Sequence, residues 1–320
     1  MKQNRGRIPR LKRQTRWLKI AILGFIGLAI LAGLFVTSVY TLMINRPLTF
    51  RHCDHHRGEN TPGSNCSFDT KDEAPLEAVA YICTGSGCNL ELLCTSVLAL
   101  RVAAGWSGKV YVITDRSADV TGLCAVELDT VPVPPVEYQM QMKNMKRQMF
   151  DILPGRPSSV LYVDADIVPV GCLQRFLRNI ATQGIPELAF FHDNVCLGCN
   201  TFNGGFVYQR DTPATRKCLE AWTAESSSAN FTRYVKDQDA LDAVLSQGGC
   251  GFIQALPASA VVFVDSALWP AFLRMTFSRP LFQHFTTGVR HSDAWSRIYS
   301  SLQAQLHELH LRLKTQIATC

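Results

Sequence analysis

The pattern of apolar and polar positions divides the chain into distinct regimes. From Ile20 to Ile44 there are 25 residues without a charged side chain, enough for a helix to cross a hydrocarbon layer of roughly 30 Å. From Asn45 to about Pro75 the chain turns polar, is punctuated by Pro47, Gly58, Pro62 and Gly63, and shows no period, the composition of a stem or linker. Beyond it, short apolar runs at 78–82, 109–113, 159–163 and 188–191 alternate with helical patterns at about 89–104, 141–152 and 172–181. Strands alternating with helices predict a parallel sheet covered on both faces, and such sheets hold ligands at the carboxyl ends of their strands. The second half predicts a strand at 205–210, helices near 213–226 and 237–246, and strands at 252–256, 260–264 and 281–285. Within 294–317, Leu302, Leu306, Leu309 and Leu313 fall at three- and four-residue steps, an amphipathic helix that packs against the domain or a partner.

Charge changes the picture by its location. The net charge is +6, yet eight of the 32 basic residues precede the apolar span, leaving 24 against 26 acidic groups, or 24 − 26 = −2, for residues 20–320. The basicity is a tail, which argues against a nucleic-acid surface on the main domain. Basic residues before the span and few after it keep the N-terminus cytosolic and put the rest in the lumen or outside. A cleaved signal peptide is the competing reading, but its apolar core usually runs only about 7–15 residues. All 12 cysteines follow the span, as expected of disulfides in an oxidising compartment, although their pairing is not legible from sequence. Asn65-Cys66-Ser67 and Asn230-Phe231-Thr232 are acceptor sequons for glycosylation.

Candidate chemistry starts at Asp164 and Asp166, which end the run Ser159-Val-Leu-Tyr-Val-Asp-Ala-Asp166. Two carboxylates at a strand's carboxyl end offer hard oxygen ligands to a divalent cation, and such a cation can hold a diphosphate. Asp115, after the 109–113 run, falls at the same end of the sheet. The clusters His52-Cys53/His55-His56 and Cys196-Leu-Gly-Cys199 lack a second ligand pair, so a solvated stem and a disulfide, respectively, account for them better than a metal.

Four further segments give the aspartate pair a context. Lys146-Arg-Gln-Met-Phe150 precedes it; Phe202-Asn-Gly-Gly-Phe206, Lys236-Asp-Gln-Asp-Ala-Leu241 and Phe282-Gln-His-Phe-Thr-Thr-Gly288 follow. Order and content resemble the glycogenin-like retaining glycosyltransferases of glycosyltransferase family 8. The resemblance implies a single GT-A type, Rossmann-like α/β domain with a mixed, mainly parallel sheet, behind an N-terminal transmembrane helix. It implies transfer of a sugar from a nucleotide-diphosphate donor, a UDP-sugar, to a hydroxyl of a glycan, protein or lipid acceptor, with retention of configuration. Asp164, Asp166 and His284 would bind Mn²⁺ or a similar cation, with Asp164 also near the ribose. Lys146, Gly288 and Arg290 would contact the donor phosphates and sugar, Asn203 the sugar or acceptor, and Asp237 and Gln238 the donor sugar and its anomeric carbon.

Each position also has a plain structural explanation. Lys146 belongs to a cluster with Lys143 and Arg147, Asn203 sits where a Gly-rich turn is expected, Asp237 suits a helix start, and a histidine ending an apolar strand commonly belongs to the core. The run after His284 departs from the family, with Gly288-Val-Arg290 in place of a glycine and lysine and one extra residue between His284 and Gly288. The segment Cys83-Thr-Gly-Ser-Gly-Cys-Asn89 lacks the tyrosine the family places against uracil. The expected organisation is a cytosolic tail at 1–19, a signal anchor at 20–44, a stem at 45–75, the transferase domain at 76–295 and a terminal helix at 296–320, as a single-pass type II protein of the Golgi membrane. Two rivals are an inactive lumenal module that binds nucleotide sugars, and an Asp-x-Asp phosphohydrolase with Asp164 as nucleophile.

Overall fold

The computed structural model describes residues 74–85, 88–124, 126–135, 139–182, 184–193, 201–227, 237–248, 250, 252–256, 260–263, 282–284, 304, 307–308 and 310–315. The tail, the apolar span, the stem to residue 73, both sequons, the 196–199 segment, Gly288 and Arg290 lie outside the described residues. Among the described residues no helix is long and apolar enough to cross a membrane.

Ten strands and seven named helices follow one another as β1 (Ala78–Cys83), α1 (Leu90–Val102), β2 (Lys109–Thr114), α2 (Ser117–Cys124), β3 (Asp129–Pro132), α3 (Gln139–Met145), α4 (Met149–Ile152), β4 (Ser159–Val163), β5 (Ile167–Pro169), α5 (Leu173–Ala181), β6 (Leu188–Asp193), β7 (Thr201–Arg210), α6 (Pro213–Ser227), α7 (Asp237–Ser246), β8 (Ile253–Leu256), β9 (Val261–Phe263) and β10 (Phe282–His284). The main sheet has the order β3-β2-β1-β4-β7-β6-β8. It is parallel throughout except for β7, which runs antiparallel to both β4 and β6. The sheet is therefore mixed and mainly parallel.

The β1, β4 and β6 runs are apolar without interruption because both faces of the sheet are covered. On one face Val79, Tyr81, Val112, Leu161, Val163 and Tyr208 pack with α1 and α5. On the other Ala80, Tyr111, Ile113, Tyr162, Phe190 and Val207 pack with α4, α6 and α7, around the fully buried Trp222. Every residue of α1 from Leu92 to Leu100 is buried, which is why that helix shows little amphipathic period. Its start is fixed by Asn89, whose side chain accepts the Leu92 N–H at 3.1 Å.

Two expectations need correction. The predicted helix at 141–152 is two helices, broken at Lys146–Gln148, where Arg147 and Gln148 bond three residues back, to the Asn144 and Met145 carbonyls at 3.0 and 3.1 Å. The predicted strand at 205–210 starts at Thr201, so Asn203 and its glycines stand inside a strand rather than a turn. Strand β5, absent from the periodicity, pairs with β10 and builds a second small sheet of order β5-β10-β9. The terminal helix is seen in the helical residues 304, 307–308 and 310–315. It packs on α1, with His310 and Leu313 buried and His310 Nδ1 3.2 Å from Thr95 Oγ1.

Candidate active site

The site is built where β4, β7 and the small sheet meet, at the carboxyl end of β4. Asp164 directly follows β4 and shares the face of Tyr162, two residues earlier; the Tyr162 hydroxyl donates to Asp164 Oδ1. The break between α3 and α4 sends Lys146 to the same atom, with Nζ 3.2 Å from Asp164 Oδ1. Lys146 is 8% exposed, donates to the Gly204 carbonyl at 3.2 Å and lies 5.0 Å from the centre of the Tyr162 ring. Arg147, the next residue, turns the other way and stacks on Trp222 at 4.5 Å. One helix break thus separates a cation for the cleft from a cation for the core.

β7 bends to meet this carboxylate. Its register against β6 jumps between Phe190↔Val207 and Phe191↔Asn203, so residues 204–206 bulge out of that ladder. The bulge points the Gly204 carbonyl at Lys146 and lets the Gly205 carbonyl accept the Asp164 N–H at 2.7 Å. Asn203 is buried and its Oδ1 accepts the Gly205 N–H at 2.7 Å. Gly205 is obligatory here for lack of room: a Cβ would run into Asp164 Oδ2 and stand 2.8 Å from Asn203 Oδ1. The Asn-Gly-Gly sequence is a seat for the Asp164 carboxylate.

Asp166 immediately precedes β5, and β5 brings in its partner. The antiparallel register sets His284 opposite Ile167, which places His284 Nε2 3.3 Å from Asp166 Oδ1. His284 is 5% exposed, while Asp166 Oδ1 is shielded from solvent and accepts no hydrogen bond. The two atoms are close but not aligned as donor and acceptor. Two ligands at right angles on one cation, with bonds of about 2.1 Å, stand about 3 Å apart, so this pair fits a shared cation. Among the described residues, however, no three His, Cys, Asp or Glu side chains form a complete metal group. Asp164, the expected third ligand, has its Oδ1 engaged by Lys146 and Tyr162. An imidazole with carboxylates suits manganese better than magnesium.

The remaining predicted residues are only partly placed. Asp237 is the first residue of α7, and Gln238, half-buried, lies one turn before Asp242 on one helix face. The Asp242 carboxylate accepts the Phe202 N–H at 3.2 Å, which puts that face beside the start of the Asn-Gly-Gly segment. Tyr162 and Gly205 were not singled out from sequence; strand alternation back from Asp164 would have found the tyrosine.

No protein-family model and no curated protein sequence matches the chain. Among solved structures it is similar to the glycosyltransferase GlyE of Streptococcus pneumoniae TIGR4, at 14% identity and a TM-score of 0.49, over 74% of this chain and 64% of that one. It is similar to the galactosyltransferase LgtC in complex with donor and acceptor sugar analogs, at 14% identity and a TM-score of 0.48, over 73% of this chain and 95% of that one. For mouse xyloside xylosyltransferase 1 the values are 10% and 0.46, over 68% and 100%. This chain thus spans about two thirds of the GlyE chain's length and nearly all or all of the other two.

Proposed function

We propose that the chain is a glycosyltransferase of the GT-A type that moves a sugar from a nucleotide-diphosphate donor to an acceptor hydroxyl with retention of configuration. The observation that carries the reading is the convergence of a buried lysine, Asp164 and the Asp166–His284 pair at the carboxyl end of β4. That is the composition a leaving diphosphate needs. A divalent cation held by Asp166, His284 and Asp164, manganese by the donor chemistry above, would neutralise charge developing on the diphosphate. Lys146 supplies a fixed ammonium whose desolvated position strengthens its pull on phosphate oxygens. Its hydrogen bond to the Gly204 carbonyl and its contact with the Tyr162 ring hold it in place beside the Asp164 carboxylate. Asn203 braces the bulge, and the α7 face bearing Gln238 flanks it.

The wider setting follows the sequence: a type II protein anchored by residues 20–44, with its domain in the Golgi lumen. Disulfides accord with that setting; Cys83–Cys88, Cys94–Cys124 and Cys218–Cys250 are bonded, and Cys172 is disulfide-bonded as well. The test is donor hydrolysis and transfer with Mn²⁺ across a panel of nucleotide sugars, comparing the native chain with Asp166→Asn. Metal-dependent turnover that falls at least 100-fold in a folded variant is expected. Equal turnover in both, or phosphate release from simple esters without any nucleotide sugar, would sink the reading.

A further inference from the structure

A covalent clamp ends β1, the strand paired with β4, which leads into Asp164. Cys83, the last residue of β1 and 1% exposed, is bonded to Cys88, five residues on and just before the α1 cap Asn89. The bond links the end of β1 covalently to the residue before the α1 cap. Asp115, directly after β2, accepts the Gly85 N–H on both carboxylate oxygens, at 3.2 and 3.1 Å. Arg116 donates from one terminal nitrogen to the Cys88 carbonyl at 3.1 Å, and its backbone N–H is held by Thr114 Oγ1 at 3.0 Å. A second disulfide, Cys94–Cys124, joins α1 to the last residue of α2. Inside this frame the hydroxyl of Thr84, a residue 6% exposed, has no hydrogen-bond partner, a state that costs stability unless a ligand meets it.

We infer that the Cys83–Cys88 bond is a positioning device for the donor, holding the β1–α1 connection in its binding shape before nucleotide arrives. The inference rests on the donor-site reading above. A glycine-containing connection at the carboxyl end of a central strand is where ligands are met, and ordering it on binding would cost affinity. A cross-link between its ends removes that freedom in advance. The connection carries no aromatic side chain to lock it by stacking, so covalent closure and the Asp115 carboxylate do this instead. Cys83 is buried and Cys88 half-buried, which limits thiol access to the bond.

The test uses the full-length chain in detergent, with Cys83→Ala/Cys88→Ala compared with Cys94→Ala/Cys124→Ala and wild type, well below their melting temperatures. UDP binding in Mn²⁺ and hydrogen exchange of the peptide spanning 84–90 are the readouts, with KM and kcat for donor hydrolysis. Loss of the Cys83–Cys88 bond should accelerate exchange in that peptide and weaken UDP binding about tenfold. The rise should appear in KM while kcat stays within about twofold, and the Cys94/Cys124 variant should lose melting temperature but keep UDP affinity. UDP that binds wild type and the Cys83/Cys88 variant equally, or unchanged exchange, overturns the inference alone. Wild type that binds no nucleoside diphosphate overturns the donor-site reading as well.

Discussion

Adding one methyl group at Gly205 tests whether the Asn-Gly-Gly bulge exists to seat Asp164. In Gly205→Ala the new Cβ would overlap Asp164 Oδ2, with Asp164 Cγ at 3.0 Å and Asn203 Oδ1 at 2.8 Å. The carboxylate cannot simply swing aside, because Tyr162 and Lys146 hold Oδ1 and the Gly205 carbonyl holds the Asp164 N–H. Overpacking of this kind typically costs about 1–3 kcal/mol, which in a domain of this size lowers the melting temperature by roughly 3–10 °C. The functional loss should be larger than the stability loss, since displacing a reacting or ligating group by about 1 Å can cost about 100-fold. Mn²⁺ titration, thermal melting and donor hydrolysis measure the three effects. Gly122→Ala is the control: it sits in α2 with nothing near its added Cβ, so replacing a helical glycine should stabilise by up to about 1 kcal/mol. A Gly205→Ala protein with wild-type melting, manganese affinity and turnover would refute the seat.

Further outcomes follow from other contacts. Lys146→Met keeps the volume of the buried side chain but removes the ammonium 3.2 Å from Asp164; the affinity for nucleoside diphosphate, read by titration, should fall about 10-fold or more, and an unchanged affinity would remove Lys146 from the donor site. Breaking Cys218–Cys250, which closes 32 positions and ties α6 to the approach to β8, should cost about 2–4 kcal/mol and about 5–15 °C in melting temperature; a variant melting with wild type would show that the bond constrains nothing. Burial, then Lys314 and His307, hold the His310 imidazole below its ordinary range against the pull of Glu91. Because the folded value is depressed, the stabilisation of the α1–terminal helix contact is complete above about pH 6.5 and is lost as pH falls from there through the lower folded value. The protection factors of amides in 307–315, which take out the intrinsic slowing of amide exchange in acid, should therefore fall on acidification, and His310→Gln should flatten that dependence; equal slopes in both proteins would contradict it.

Which features were legible in the chain depends on the range of the forces that set them. Apolar runs marked β1, β2, β4 and β6, and helical patterns marked α1 and α5, because burial on both sheet faces leaves a local mark in composition. The same locality exposed Asp164 and Asp166 as a pair at a strand end. It misled at Lys146, where helical propensity continues but the backbone breaks to send neighbouring cations in opposite directions. It misled again at Asn203-Gly-Gly205, which has turn chemistry yet lies within a ten-residue strand whose bulge meets a carboxylate some forty positions earlier. The approach of His284 to Asp166 depends on a three-residue strand pairing across more than a hundred positions, and no local period records it. Residue identity determined what chemistry the chain can offer. Only long-range strand register, which a one-residue slip would reverse, decided that these groups meet.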